Sequence, residues 1–245
     1  MTGVLTAITV CALAVLLLIE RLAAAFIAQG GASRLLRNAG LGVLGLAATF
    51  LVVTPVSLAA SEIGPAWQEG WPFAARLVTD LLILELYLYG WHRAMHEVPF
   101  LWRFHRVHHY DAFLDVTSAI RFHPGEVILS AFLRGVLIIG TDVSAASILL
   151  MDALVIIAAA FHHANLALPL SVDRVIRTIV VTPQHHRIHH HPERQYTDSN
   201  YGTLLTIWDR LFGSFKEREA VGSYGVEGAE ERSLPALIID PLRSR

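Results

Sequence analysis

The pattern of apolar and polar positions divides the chain into four stretches. Residues 4–19 carry no charge, and the apolar character resumes after Glu20 and Arg21 as far as about Ala28. A bilayer core takes about 20 apolar residues as a helix, so 4–28 is predicted to span. A cleaved signal peptide would need a basic start, and no Lys or Arg precedes Arg21. The 24 uncharged residues from Asn38 to Ser61 are predicted as a second span. Arg34 and Arg37 lie in the expected connecting loop, and the positive-inside rule puts that loop in the cytoplasm. A third helix is predicted from Phe73 to His96, although it contains Asp80 and Glu85. At 100° per residue Glu85 falls within about 20° of His92 and His96, whereas Asp80 lies off that face. The last apolar stretch, 127–161, is long for one span and short for two. Gly140-Thr141-Asp142 interrupts it, which predicts a helical hairpin that crosses or dips and then returns to the cytoplasmic side.

The expected fold class is therefore all-α: an integral-membrane helical bundle with a cytoplasmic helical cap. Three regions are expected. Residues 1–72 form an N-terminal transmembrane hairpin. Residues 73–218 form the main body, including the hairpin 127–161. Residues 219–245 form a linker (219–233, read as mobile) and a short apolar tail at 234–243, expected to dock on the body or the membrane.

Composition agrees with a membrane protein. Of the 245 residues 54% are hydrophobic and 16% charged, with a mean hydropathy of +0.50, against about 25% charged in an ordinary soluble domain. The net charge of −2 gives no basic footprint for a nucleic-acid partner. The single cysteine, Cys11, rules out an intrachain disulfide and cysteine-based metal sites. All 13 histidines lie between His92 and His191.

Those histidines are spaced for chemistry. On a helix, positions i, i+3 and i+4 share one face. His92 and His96 form HxxxH; His105, His108 and His109 form HxxHH; His186, His189 and His190 form a second HxxHH. With His123 and His163 the candidate ligands number ten, too many for one metal and suited to two metals with about five nitrogens each. Imidazole suits Zn, Cu, Fe and Ni. Structural zinc usually brings cysteine, a zinc protease would show HExxH, and haem needs only axial ligands. An all-nitrogen pair of open sites favours iron, with zinc the competing occupant. His162, His185 and His191 fall beside the periodic positions and are expected to be supporting or ordinary solvated residues.

With its histidine boxes, the chain resembles the fatty acid hydroxylase/sterol desaturase superfamily of membrane di-iron enzymes over roughly residues 75–216. The resemblance rests on HxxxH at 92–96, HxxHH at 105–109, Arg121-Phe-His123-Pro124-Gly-Glu126, and Phe161-His-His163-Ala-Asn165. It continues through Thr182-Pro183-Gln-His-His186-Arg-Ile-His189-His190, Asp198-Ser-Asn200-Tyr201-Gly202 and Trp208-Asp209-Arg-Leu-Phe212-Gly213. Ser214 stands where the family has threonine. Ala159 stands where some branches carry a further histidine, and His123 is expected to fill that vacancy.

The resemblance implies two iron ions with O2 as co-substrate, and hydroxylation, desaturation or ether cleavage of a lipid. It also implies a separate electron donor, ferredoxin- or cytochrome b5-like with a reductase, since no flavin or nicotinamide fingerprint is present. Glu85, Asp115, Asn165, Asp198 and Asn200 are expected to orient ligands or meet substrate, with Asp111 a weaker orienting candidate. Asn165 reads equally as a helix cap, and Asp198 to Tyr201 as a simple turn. Trp208 and Phe212 read as packing or interfacial residues and Met95 as core. The expected location is a bacterial inner membrane. The competing readings are a histidine-rich membrane metal transporter or a zinc-dependent membrane hydrolase. The lipid stays open among sterol, fatty acyl, ether lipid and carotenoid.

Overall fold

A computed structural model describes residues 2–218, 224–229 and 232–243. Among the described residues the chain is helical, with two isolated bridges, Ala24–Leu166 and Val180–Leu205, and no strand. Four segments are long and apolar enough to cross a membrane: Gly3–Leu22, Gly31–Ser61, Pro124–Thr141 and Ala145–His163.

The first two segments differ from the sequence expectation. Helix α1 (Thr2–Leu22) stops short of residue 28. Ala25 N–H donates to the Asn165 carbonyl, and Phe26 N–H donates to Asn165 Oδ1, so this stretch is extended and fastened to the end of another helix. The second segment begins at Gly31, not Asn38. It runs through α2 (Gly31–Ala48), a π-helical turn (Thr49–Val53) and α3 (Thr54–Ser61). Arg34 and Arg37 therefore lie in a helix, not a loop. Arg34 tolerates burial because its guanidinium meets Asp111 Oδ1 and Asp115 Oδ2, both at 2.6 Å.

Helix α4 (Phe73–Glu97) is the central element, packing on α5 (Pro99–His109), α6 (Pro124–Thr141) and α7 (Ala145–His163). It is less apolar than the four segments above because it carries Arg76, Asp80, Glu85 and Arg93. Each is engaged within the protein, as the buried Asp80 and Glu85 must be. Asp80 accepts from Gln68 and Ser144, Arg76 donates to the Asp142 carbonyl, and Arg93 pairs with Glu97.

The expected hairpin is present as α6 and α7. The chain turns at Asp142, which has a left-handed φ of 55°. The antiparallel return brings His163 at the end of α7 to the level where α6 begins. Leu84, Ile138, Ile148 and Met151 pack between α4 and the hairpin. Beyond α7 come α8 (Leu170–Ile176), α9 (Pro183–His189), α10 (Arg194–Thr197) and α11 (Ile207–Leu211).

Within the expected linker, residues 219–223 and 230–231 lie outside the described residues. The described pieces are docked: Gly225 N–H donates to the His190 carbonyl, and Arg232 pairs with Asp240. The tail, α12 (Leu234–Ile239), buries Leu237 against Leu41, Val107 and Tyr110. It therefore sits on the helical body.

Candidate metal centre

Three helix ends bring the histidine boxes together. His92 and His96 lie one turn apart at the C-terminal end of α4. Helix α5 starts at Pro99, where a missing N–H costs nothing, and presents His105, His108 and His109 on its buried side. Helix α9 starts with Pro183 after Thr182, whose hydroxyl accepts from His185 N–H at 3.2 Å as an N-cap. The Thr-Pro pair thus fixes where the second HxxHH begins.

The result is two groups. His92, His96, His105, His109 and His189 have nitrogens within 4.8 Å of one another, and so do His108, His163, His186 and His190. Nine of the ten candidate ligands are brought together, and every one of these except the partly covered His92 is buried.

Hydrogen bonds behind the rings set the tautomers. His92 Nδ1–H donates to the Tyr201 carbonyl (2.8 Å), His105 Nδ1–H to Glu126 Oε1 (2.9 Å) and His189 Nδ1–H to the Ser199 carbonyl (2.7 Å). His163 Nδ1–H donates to the Ala159 carbonyl (2.8 Å), and His108 Nδ1 faces the Arg121 carbonyl at 3.3 Å. With the proton on Nδ1, each Nε2 presents a lone pair inward. In the first group His92 Nε2 faces His105 Nε2 at 3.1 Å; in the second, His163 Nε2 faces His108 Nε2 at 3.1 Å. Two lone pairs at that separation repel unless a cation lies between them. His96 Nε2 and His189 Nε2 are buried with no protein partner. This donor set fits a metal ion in each group.

Burial strengthens the arrangement. Desolvation, followed by neighbouring imidazoles, holds His108, His109, His186, His189 and His190 well below the ordinary histidine range. Neutral imidazole is the form that ligates metal.

The remaining candidates fall elsewhere. His123 lies outside both groups and caps α6 instead. Its Nδ1 accepts from Gly125 N–H and its Nε2 faces the Ile238 carbonyl, both at 2.9 Å, so neither nitrogen is free to ligate. The carboxylates of Asp115 and Asp111 orient no histidine ring among the described residues; they hold Arg34. Burial alone would raise the Asp115 carboxyl, but the Arg34 hydrogen bond and charge hold it below the usual carboxylate range. Asn165 clasps Phe26 through both its amide atoms. Asp198 does reach a candidate ligand, its Oδ1 facing His96 Nδ1 at 3.3 Å.

Asn200, at φ 55°, donates to the His185 and Lys216 carbonyls and shapes the turn behind His189. His185 lies 3.6 Å from Asp209. The His162 ring lies tilted against His186 with ring centroids 4.0 Å apart, and its Nδ1 has no protein partner. His191 sits at the edge, bonded to Arg218. Glu85 accepts from Leu204 N–H, Leu205 N–H and Trp208 Nε1–H, and so bolts α4 to the segment before α11. Met95 is buried core, and Phe212 stacks on Tyr89.

Two supporting residues escaped the sequence reading. Glu126 orients His105. Asp209 accepts from the N–H groups of Tyr201 and Gly202 and from Ser214 Oγ, and thereby shapes the loop whose Tyr201 carbonyl orients His92. Both lie inside the motif stretches quoted above, which was the available signal. Gly202 is required there, because an added Cβ would meet the Leu205 carbonyl oxygen at 2.5 Å.

An apolar cavity of about 490 Å³ opens onto the histidines. Leu13 and Leu17 of α1, Leu46 of α2 and Val155 and Ile156 of α7 line it, and His92, His105, His108, His163 and His186 border it. The elements of the bundle thus converge on one chamber with two nitrogen-rich groups at its end.

Comparison with known proteins agrees with this geometry. The fatty acid hydroxylase family model matches residues 77–214, a stretch that contains every histidine. An ornithine lipid hydroxylase of Rhizobium tropici is 30% identical over 203 residues, covering 81% of this chain and 60% of that protein. Human alkylglycerol monooxygenase is 27% identical over 160 residues, 65% of this chain and 34% of its own length. Mouse lathosterol oxidase is 26% identical over 161 residues, 61% of this chain and 48% of its own length. The chain therefore spans about a third to three-fifths of these relatives. No solved structure matches it significantly.

Proposed function

Since the chain belongs to the fatty acid hydroxylase family, we propose that it is an O2-dependent oxidoreductase that hydroxylates or desaturates a membrane lipid. The relatives point the same way, being a lipid hydroxylase, an alkylglycerol monooxygenase and a sterol oxidase by name. The observation that carries the reading is the inward convergence of nine histidines at one end of an apolar cavity.

In this reading His92, His96, His105, His109 and His189 hold one iron, and His108, His163, His186 and His190 hold the other. Bound iron supplies the capacity to use O2 and external electrons against an unactivated C–H bond. The second group has one ligand fewer, as Ala159 supplies no imidazole, and so leaves room for a non-protein ligand. The chain's own part is positional. Glu126, Asp198 and the carbonyls of Tyr201 and Ser199 hold imidazoles in register. The cavity wall excludes water and lays the lipid tail along α2, α4 and α7.

The body is read as a multi-pass protein of a bacterial inner membrane with the metal groups at the cytoplasmic face. Residues 1–72 form its membrane hairpin, 73–218 the catalytic body and 219–245 the tail. The electron donor is a separate ferredoxin- or cytochrome b5-like carrier with its reductase.

Metal analysis of the purified protein and lipid mass spectrometry of membranes with and without it test the reading together. The expected result is iron in both groups and a lipid that gains one oxygen or loses two hydrogens. His108→Ala and His189→Ala are each expected to lose iron and turnover while keeping the membrane fold. Wild-type turnover in either variant would refute the ligand assignment. Stoichiometric zinc without O2 consumption would favour a hydrolase, and metal flux across vesicles a transporter.

A further inference from the structure

Away from the histidines the cavity wall is mostly apolar, with hydroxyls such as Tyr87, Thr117 and Ser130 and one charged place. Apart from the histidines and Glu126, the only charged side chains on its wall among the described residues are Arg134 of α6 and Asp152 of α7. Arg134 Nη2 donates to Asp152 Oδ1 at 2.7 Å. Both helices are long and apolar enough to span, and Arg134 and Asp152 lie near their midpoints. A charged pair at that depth is costly and marks a functional site by default.

The pair's position along the helices fixes its distance from the metal groups. Eight residues separate Glu126 from Arg134, and eleven separate Asp152 from His163. At 1.5 Å per residue these are about 12 and about 16 Å. The single bond is also informative. Arginine–carboxylate ties are frequently bidentate, yet this one uses one of the five guanidinium N–H donors. Asp152 lines the cavity and keeps 27% of its side chain exposed.

We propose that Arg134 and Asp152 together bind a neutral hydroxyl group of the lipid, at about 12–16 Å from the carbon presented to the histidines. The pair has no net charge. A carboxylate ligand would meet Asp152 and an ammonium would meet Arg134, each as a like charge. A hydroxyl both accepts and donates, so it can take a hydrogen from the guanidinium and give one to Asp152 Oδ2. The substrate class that follows is a long lipid alcohol, held with its hydroxyl at the pair and its reacting carbon at the histidine end of the cavity. This rests on the reading of the cavity as the lipid site.

The test is displacement of a cavity-bound hydrocarbon fluorophore from the purified full chain by hexadecanol and by hexadecane. Partition into the same micelles is common to all variants, so the ratio of the two apparent affinities is compared. Wild type is expected to prefer the alcohol relative to the Arg134→Leu/Asp152→Leu variant by about tenfold or more, the scale of a charge-assisted hydrogen bond. That variant is expected still to bind hexadecane, which shows that the cavity is intact. The charge-swapped Arg134→Asp/Asp152→Arg variant is expected to regain the preference. An unchanged ratio in the Leu/Leu variant, with hexadecane bound, would make the pair a tie between α6 and α7 and overturn only this proposal. A wild type that binds neither ligand would overturn the cavity reading as well.

Discussion

At the scale of single residues, Glu126 shows how an outer contact governs the centre. Its Oε1 takes the Nδ1 proton of His105 and so aims Nε2 at the first histidine group. Groups that support a ligand in this way cost about 10–100-fold in metal affinity or activity when removed. Glu126→Ala is therefore expected to lower metal retention in that range, measured by chelator competition, whereas Glu126→Gln keeps an acceptor and loses less. A residue that served only to start α6 would not separate the two variants. The same logic explains why His123 stands apart from both histidine groups. One ring nitrogen caps α6 and the other holds the α12 tail, so the proline that follows it belongs to a helix start.

At the scale of elements, the docking of α2 depends on one buried arginine. Arg34 is 3% exposed and links the start of α2 to Asp111, to Asp115 and to Ser118 within the 3-10 turn Val116–Ile120 that Asp115 caps. Removing one partner of a buried ion pair typically costs about 3–5 kcal/mol, because it strands the other charge. Arg34→Met is expected to destabilise the protein on that scale in detergent, read as a lowered unfolding temperature. Recovery is expected when Asp111→Asn and Asp115→Asn accompany it. This arginine looked like a positive-inside signal in a loop. Its local sequence is the same in either case; only the two aspartates some eighty positions away make it a helical, buried residue.

At the scale of the whole molecule, gathering nine histidines creates a pH dependence. His108, His109, His186, His189 and His190 titrate well below their ordinary value when folded, chiefly through burial. In the unfolded chain they take up protons near pH 6.5. Between those limits the unfolded state binds more protons, so stability is full above about pH 6.5 and falls as the pH drops toward the folded values. The metal-free protein is expected to lose unfolding temperature steadily on acidification from neutral pH. The metal-loaded protein should hold until its ligands are protonated. A flat profile for the metal-free protein between about pH 7 and pH 5 would contradict the buried, neutral site.

What the sequence determined by itself was whatever depends on local spacing. Apolar runs of bilayer length marked the spans, the Gly140-Thr141-Asp142 break marked the hairpin turn, and i, i+3, i+4 histidines marked which imidazoles share a helix face. Those signals sufficed for a helical body with membrane-length apolar helices and for the nine histidines that the fold gathers into two groups. The tertiary structure alone decided how the boxes divide, because His108 parts from His105 and His109 only when α7 and α9 arrive beside it. It also decided the fates of Asp115, Asn165 and Glu85. Each is a polar group whose partner lies distant in sequence, so only the packed chain shows whether its hydrogen bond goes to a ligand, an arginine or a backbone amide.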